Sequence, residues 1–366
     1  MACTLMHFAN VRLGATFATL GHHGREHRVQ VLATLASLAD MACLERAGAV
    51  LVSGDLFDCA IPSPATLKTV RAAFTRLQHA GIPAVILPGG RDPEMIFDLG
   101  WRQEGQDICP GAWILGPKQP AVRLDALNLM VRFLAFPQPD SGTLPFAAAT
   151  AEALSVGLAY RPSGAGSLAD LAPSFASSPA CYVGIGGDTT FAVETVGAVT
   201  VCSPGVPEPL EWGQEHGTVA LVRIDDDGSV RVERRRTGAH SFARRELAIT
   251  PDNARLATSI IERQAHPDLA LEVVLTGTCP FDVLIDPQAI ESELAPSFFH
   301  LRVVDRTQLL FTGGGPGAPP PGTVLGNFAR VMDGRLRDAA DEEQATHDRE
   351  AYRLGFNLLQ GGSSGR

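Results

Sequence analysis

The stretch Ala49-Val50-Leu51-Val52-Ser53-Gly54-Asp55-Leu56-Phe57-Asp58 decides how the rest of the chain is read. Its apolar residues run without alternation as far as Val52, as in a parallel strand covered on both faces. Ser53, Gly54 and Asp55 stop the run. In open α/β sheets the carboxyl ends of the strands are where ligands and ions bind, so Asp55 and Asp58 are the first functional candidates. The same residues also suit a plain turn or a helix cap, and the stretch alone leaves chemistry and architecture level.

Working outward, Leu5 to Gly14 reads as a first strand with its exit loop, and Val29 to Ala47 has helical spacing and ends before Gly48. Residues 5 to 58 therefore form one β-α-β unit. The pattern repeats: Pro64 to Ala80 is a helix with Ser63 as cap and Pro64 in its first turn. Ile82 to Leu87 is then a buried strand that runs into Pro88-Gly89-Gly90-Arg91-Asp92-Pro93. Two consecutive strands thus deliver polar groups to one rim.

Farther on, strands are expected at Trp113–Leu115, Leu124–Leu127, Leu129–Phe136, Ser155–Tyr160, Cys181–Ile185, Gly197–Cys202, Thr218–Ile224 and Ser229–Arg235, the last two as a hairpin. Pro137 to Gly142 reads as a loop, Phe146 to Leu154 as a short helix, and Arg161 to Ser178 as an irregular Pro, Gly, Ser and Ala segment. A boundary falls near residues 245 to 250. Beyond it come a helix at Pro251–Gln264 capped by Thr250, a strand at Leu269–Leu275, a helix at Pro287–Leu294 and a strand at Phe298–Val304. Gly313 to Gly322 is a flexible connector made only of Gly, Pro and Ala. Asp341 to Gln360 has the spacing of a docked helix, a lid on its own domain or a partner's docking element.

The chain has 366 residues, 45% hydrophobic and 19% charged, with a formal charge of -10. A large core is affordable, and no stretch reads as a membrane span or leader, so a cytoplasmic location is expected. The seven cysteines are scattered without a C-x-x-C pair, as befits reduced thiols. The overall charge does not attract a polyanion. A local basic patch, Arg231, Arg234, Arg235, Arg236, Arg244 and Arg245, is the candidate nucleic-acid contact, offset by Asp225, Asp226, Asp227 and Glu233. His22, His23 and His27 can ligate zinc or nickel, though an exposed loop is the plainer reading.

The sheet-edge segments His7-Phe8-Ala9-Asn10-Val11-Arg12-Leu13-Gly14, Ser53 to Asp58, Gly89-Gly90-Arg91-Asp92, Gly186-Gly187-Asp188-Thr189 and Ser203-Pro204-Gly205-Val206-Pro207-Glu208 follow a familiar order. Over residues 5 to 245 the chain resembles the calcineurin-like metallophosphoesterases, and among them the SbcD-type DNA exonuclease subunits. The resemblance implies a four-layer α-β-β-α sandwich over 1–247, a small α+β capping domain over 248–312, a linker at 313–322 and a helical segment at 323–366. It implies partners too: a homodimer, an SbcC-like coiled-coil ATPase and DNA, with no membrane.

The family's chemistry fits this chain poorly. Where its first motif supplies an aspartate and a histidine, this chain has Asn10 and Arg12; the bridging aspartate remains as Asp55. Gly90 and Arg91 stand where an asparagine ligand and a catalytic histidine are expected, followed by the retained Asp92. Tyr160, Gly187 and Thr189 stand where the other histidines belong. Two-metal hydrolysis needs ions about 3.5–4 Å apart, held by carboxylates and imidazoles, whereas Arg12 places a permanent cation with no acceptor at such a position.

The expected arrangement is therefore an Arg12–Asp55 pair, with Arg91 held by Asp92 or reaching into the same cleft. The function that follows is a catalytically inactive scaffold or regulatory relative of the exonuclease subunit, with no cofactor. The alternatives are an active phosphoesterase or exonuclease with altered metal use, manganese being the family's ion, and a non-hydrolytic phosphate or DNA-end reader built on Arg12 and Arg91.

Overall fold

Residues 49–53 form β2 (Ala49–Ser53), a strand with every residue buried. It pairs in parallel with β1 (Cys3–Phe8) on one side and β3 (Ala84–Leu87) on the other, and β3 pairs in parallel with β4 (Ala112–Ile114). The computed structural model describes residues 2–59, 61–92, 107–135, 154–161, 166–280, 283, 285–310, 319–320 and 322–361. The crossovers between these strands carry α1 (Gly24–Leu44) and α2 (Pro64–His79). Ser63 caps α2 by accepting the Thr66 amide, Pro64 opens it, and Leu67, Val70, Phe74 and Leu77 form its buried face.

A second sheet is built from β5 (Ala121–Leu124), β6 (Leu129–Phe133), β7 (Leu154–Tyr160), β8 (Tyr182–Gly186), β9 (Phe191–Val196) and β10 (Val199–Pro204), in the order β5-β6-β7-β8-β10-β9. The first sheet is completed by the antiparallel hairpin β11 (Gly217–Ile224) and β12 (Val230–Thr237), giving β12-β11-β1-β2-β3-β4. Leu5, Leu51 and Val85 of the first sheet share one core with Val131, Val156, Leu158 and Tyr182 of the second, so the sheets pack face to face. Val50 and Val52, on the opposite face of β2, are buried as well, on the side where the crossovers place α1 and α2. Outside the second sheet, α3 (Leu168–Leu171) and the turn after it set Leu168, Ala172 and Phe175 against Ala159, Val183 and Ile185. The layers run helix, sheet, sheet, helix, the expected sandwich.

This body, Met1–Ala243, is one of two units; the other is Arg244–Arg366. The second contains a sheet in the order β13-β14-β15, from β13 (Ser241–Ile249), β14 (Leu269–Pro280) and β15 (His300–Asp305), with β16 (Gln308–Leu310) also on β14. Its helices are α4 (Ala257–Glu262), α5 (Pro287–Leu294), α6 (Val324–Asp338) and α7 (Glu342–Gly361). α6 and α7 pack through Ala329, Met332, Tyr352 and Phe356, with Arg335 2.6 Å from the buried Asp348. Among the described residues no helix is long and apolar enough to cross a membrane.

Several elements differ from expectation for local reasons. Asp125–Leu127 is a 3-10 turn closed by Asn128 at φ 47°, so the strand expected at Leu124–Leu127 is β5 displaced toward Ala121. The helix expected at Pro251 starts only at Ala257, after a 3-10 turn. The Asn253 side chain takes the Thr250 amide and gives to the Ala248 carbonyl, tying the turn back onto the end of the preceding strand. β9 was not expected; it pairs antiparallel along β10. The expected loop at Pro137–Gly142, residues 146–153 of the helix expected at Phe146–Leu154 and most of the Gly313–Gly322 connector lie outside the described residues, while Leu154 opens β7 instead of ending a helix.

Candidate functional site at the sheet ends

The carboxyl ends of β1, β2, β3, β7, β8 and β10 meet at one rim. Its backbone is set by two loops that run side by side: the amides of Asn10, Arg12 and Leu13 donate to the carbonyls of Gly54, Asp55 and Leu56, and Asp58 donates back to Leu13. Asn10, Arg12 and Asp55 all have φ between 52° and 54°, a left-handed posture that non-glycine residues adopt at a cost. Gly89 approaches so closely that a Cβ there would collide with the Asp55 backbone amide and carboxylate, which makes glycine obligatory.

Each predicted site residue now has its partners. Asp55 is 5% exposed, and both its oxygens are engaged: one accepts the Arg91 amide at 3.0 Å, the other the Tyr160 hydroxyl at 2.9 Å. Tyr160, at the end of β7, fills the space beside Gly54 and Gly90. Burial, followed by the Asp55 charge, pushes its hydroxyl up to about 12, so it stays a donor. Asp92 is fully buried and accepts four backbone amides, those of Gly89 (2.7 Å), Asp55 (3.0 Å), Leu56 (2.5 Å) and Phe57 (3.2 Å). Burial raises its carboxyl to about 7 against the pull of those donors. Asn10 is buried, donates to the Asp188 and Gly205 carbonyls and accepts the Gly187 amide. Thr189 and Gly90 stand on the same rim.

The expected Arg12–Asp55 pair is not what forms. Arg12 donates through Nε to Asp58 at 2.8 Å, and Arg91 reaches the same Asp58 oxygen through Nη1 at 3.0 Å. The side chain of Arg91 is therefore held by Asp58 rather than Asp92. The reason is steric and electrostatic together. The Asp55 oxygens face inward onto Tyr160 and the Arg91 amide, whereas Asp58, at the outer end of the turn, is the carboxylate that long side chains can reach. A pair absent from the sequence reading, Arg161 with Asp188 at 2.5 Å, extends the charge network. Every carboxylate of the rim is thus tied to protein donors, and two guanidinium groups share one of them. A cavity of about 630 Å³ lined by Arg46, Gly48, Pro83 and Leu127 lies at the amino ends of β2 and β3, the opposite rim.

The histidine segment also differs from expectation. His22 and His23 lie in a 3-10 turn, but His27 is on α1 and fully buried rather than in an exposed loop. With Glu208 and His240 it makes, among the described residues, the one group of three ligand-type side chains whose donor atoms lie within 4.8 Å of one another. None of the rim positions belongs to it. The basic patch is largely tied down: Arg231 pairs with Asp225, Arg235 with Glu45 and Glu233, and Arg234 lies over the Phe191 ring.

No family model and no curated protein matches the chain. Among solved structures, the Thermus thermophilus protein TT1561 is similar at 14% identity and a TM-score of 0.37, over 64% of this chain and 99% of that one. An archaeal phosphodiesterase is similar at 13% identity and a TM-score of 0.34, over 63% and 99%. Vps29 of Entamoeba histolytica is similar at 12% and 0.32, over 64% and 98%. These likenesses are distant and partial, and they assign neither chemistry nor partner; the layered architecture stands on the strand order and shared core described above.

Proposed function

We propose that the chain is a non-hydrolytic metallophosphoesterase-like protein with a scaffold or regulatory role, related in organisation to the SbcD-type exonuclease subunits. The observation that carries this reading is Arg12 and Arg91 closing together on Asp58 beside an Asp55 whose oxygens both hold protein donors. Two divalent ions need a cluster of anionic and imidazole ligands; here fixed cations occupy the rim. Homodimerisation, an SbcC-like ATPase partner and a role in DNA processing belong to the same proposal, and rest on the resemblance of the motifs.

The test is an assay on bis(p-nitrophenyl)phosphate and linear DNA across manganese, magnesium and zinc. Wild type and Asp55→Ala are expected to match the metal-only blank. Wild-type turnover abolished by Asp55→Ala would instead assign the rim to a working phosphoesterase with altered metal use.

One observation favours a second reading, a phosphate or DNA-end reader. Arg12 and Arg91 reach a single Asp58 oxygen beside glycine turns, which leaves further guanidinium N–H groups to meet an anion, and the Arg91 side chain is about half exposed. Filter binding of short DNA duplexes should then be lost in Arg12→Ala; equal, negligible binding by both proteins ends this reading.

A further inference from the structure

The His27, Glu208 and His240 cluster is independent of the rim. His27 Nε2 lies 2.7 Å from the Pro209 carbonyl oxygen, a contact only an N–H can make, so the ring carries a proton there and presents its lone pair at Nδ1. That lone pair faces His240 Nδ1 at 2.9 Å. Glu208, 1% exposed, is oriented by the Ala239 and His240 amides and by the Thr34 hydroxyl at 2.5 Å. Among the described residues no lysine or arginine pairs with it. Phe17 and Phe242 pack their rings on His27 at 4.5 and 4.7 Å between centroids and wall off one side.

We propose that His27, Glu208 and His240 bind a zinc ion through two imidazole nitrogens and one carboxylate oxygen, leaving a fourth position for water. Three features of the arrangement point there. A ligating histidine almost always donates its other N–H to a carbonyl or carboxylate, and ligating carboxylates are themselves hydrogen-bonded; His27 and Glu208 already stand so. The donor set, imidazole with one carboxylate, suits zinc, whereas calcium and magnesium favour all-oxygen sites.

The adjustment required between the two imidazoles is small, and the Glu208 oxygen closes from within 4.8 Å. Zinc–nitrogen bonds of about 2.0–2.1 Å in tetrahedral geometry put two nitrogens roughly 3.3 Å apart, a few tenths of an ångström beyond the distance here. The His240 proton at Nδ1 moves to its Nε2, so the ring stays neutral and the metal takes the place of one shared proton. A carboxylate buried without a lysine or arginine gains a full counter-ion from the metal. Because the three ligands come from α1, the turn after β10 and the β12–β13 loop, the ion would also tie those segments together.

The test uses the full chain and zinc alone. Affinity is read by competition with a chromogenic chelator, stoichiometry by metal analysis, and geometry by the visible absorption of the cobalt-substituted protein. Wild type should take up one zinc per chain, and the cobalt form should show the intense bands of a four-coordinate site. His240→Ala, folded by circular dichroism, should bind at least about 100-fold more weakly, while His22→Ala with His23→Ala should bind as wild type does. Equal affinity in wild type and His240→Ala would overturn the site, as would loss of binding in the His22, His23 variant. No stoichiometric uptake by wild type would show the cluster to be a hydrogen-bond network only. Should His240→Ala fail to fold, the cobalt spectrum of wild type decides.

Discussion

Asp92→Ala is expected to destabilise the first unit by about 3–5 kcal/mol, seen as a fall in the urea midpoint with little change in slope. The fully buried carboxylate satisfies the amides of Asp55, Leu56, Phe57 and Gly89 at once. Removing it strands four donors in a place where each costs roughly 1–3 kcal/mol if left unmet, with water entering the vacated space to recover part of the sum. Asp92→Asn should fall between, because its carbonyl still accepts while its amide group faces donors. Against a typical domain stability of about 5–15 kcal/mol the alanine change is severe. A loss under about 1 kcal/mol would show that the four contacts are not what holds the two loops.

The second large effect is acid lability centred on His7. Its ring is fully buried between the Tyr182 hydroxyl and Ser53 Oγ, each at 2.7 Å, and burial lowers its pKa to about 3. In the unfolded chain the ring ionises near 6.5. Between those values the unfolded state binds the extra proton, so stability rises with pH in this interval. The contribution is complete above about pH 6.5 and is lost progressively as the pH falls toward 3, a total on the order of 5 kcal/mol. Unfolding free energy measured from pH 7 to 4 should fall more steeply for wild type than for His7→Gln. Parallel profiles, or an NMR titration placing the native ring near 6.5, would refute the assignment.

The β-α-β frame was legible because buried parallel strands advertise themselves. Residues 49–53 and 84–87 are apolar without alternation, and their glycine-rich exits mark the rim. Ser63 and Pro64 announced α2 through capping chemistry alone. What stayed hidden depended on geometry between distant segments. Nothing in the spacing of Asp55 and Asp58 tells which of them an arginine at position 12 can reach; that follows from Tyr160, 105 residues further on, lying against Asp55. The His27 cluster was invisible for the same reason, since His240 lies 213 residues from its neighbour, and no local pattern joins a helix turn to a hairpin loop. β9 escaped because an edge strand such as Phe191–Val196, half-exposed along its length, lacks the unbroken apolar run that marked the interior ones.

The left-handed posture of Asn10, Arg12 and Asp55 is held by amide ladders and by the Asp92 cradle. The contour of the rim is therefore carried by the main chain and the buried Asp92 carboxylate, and the outward-facing side chains of Arg12 and Arg91 ride on it as replaceable fittings. Evolution, or an engineer, can exchange what these positions present to the outside without having to rebuild the mount beneath them.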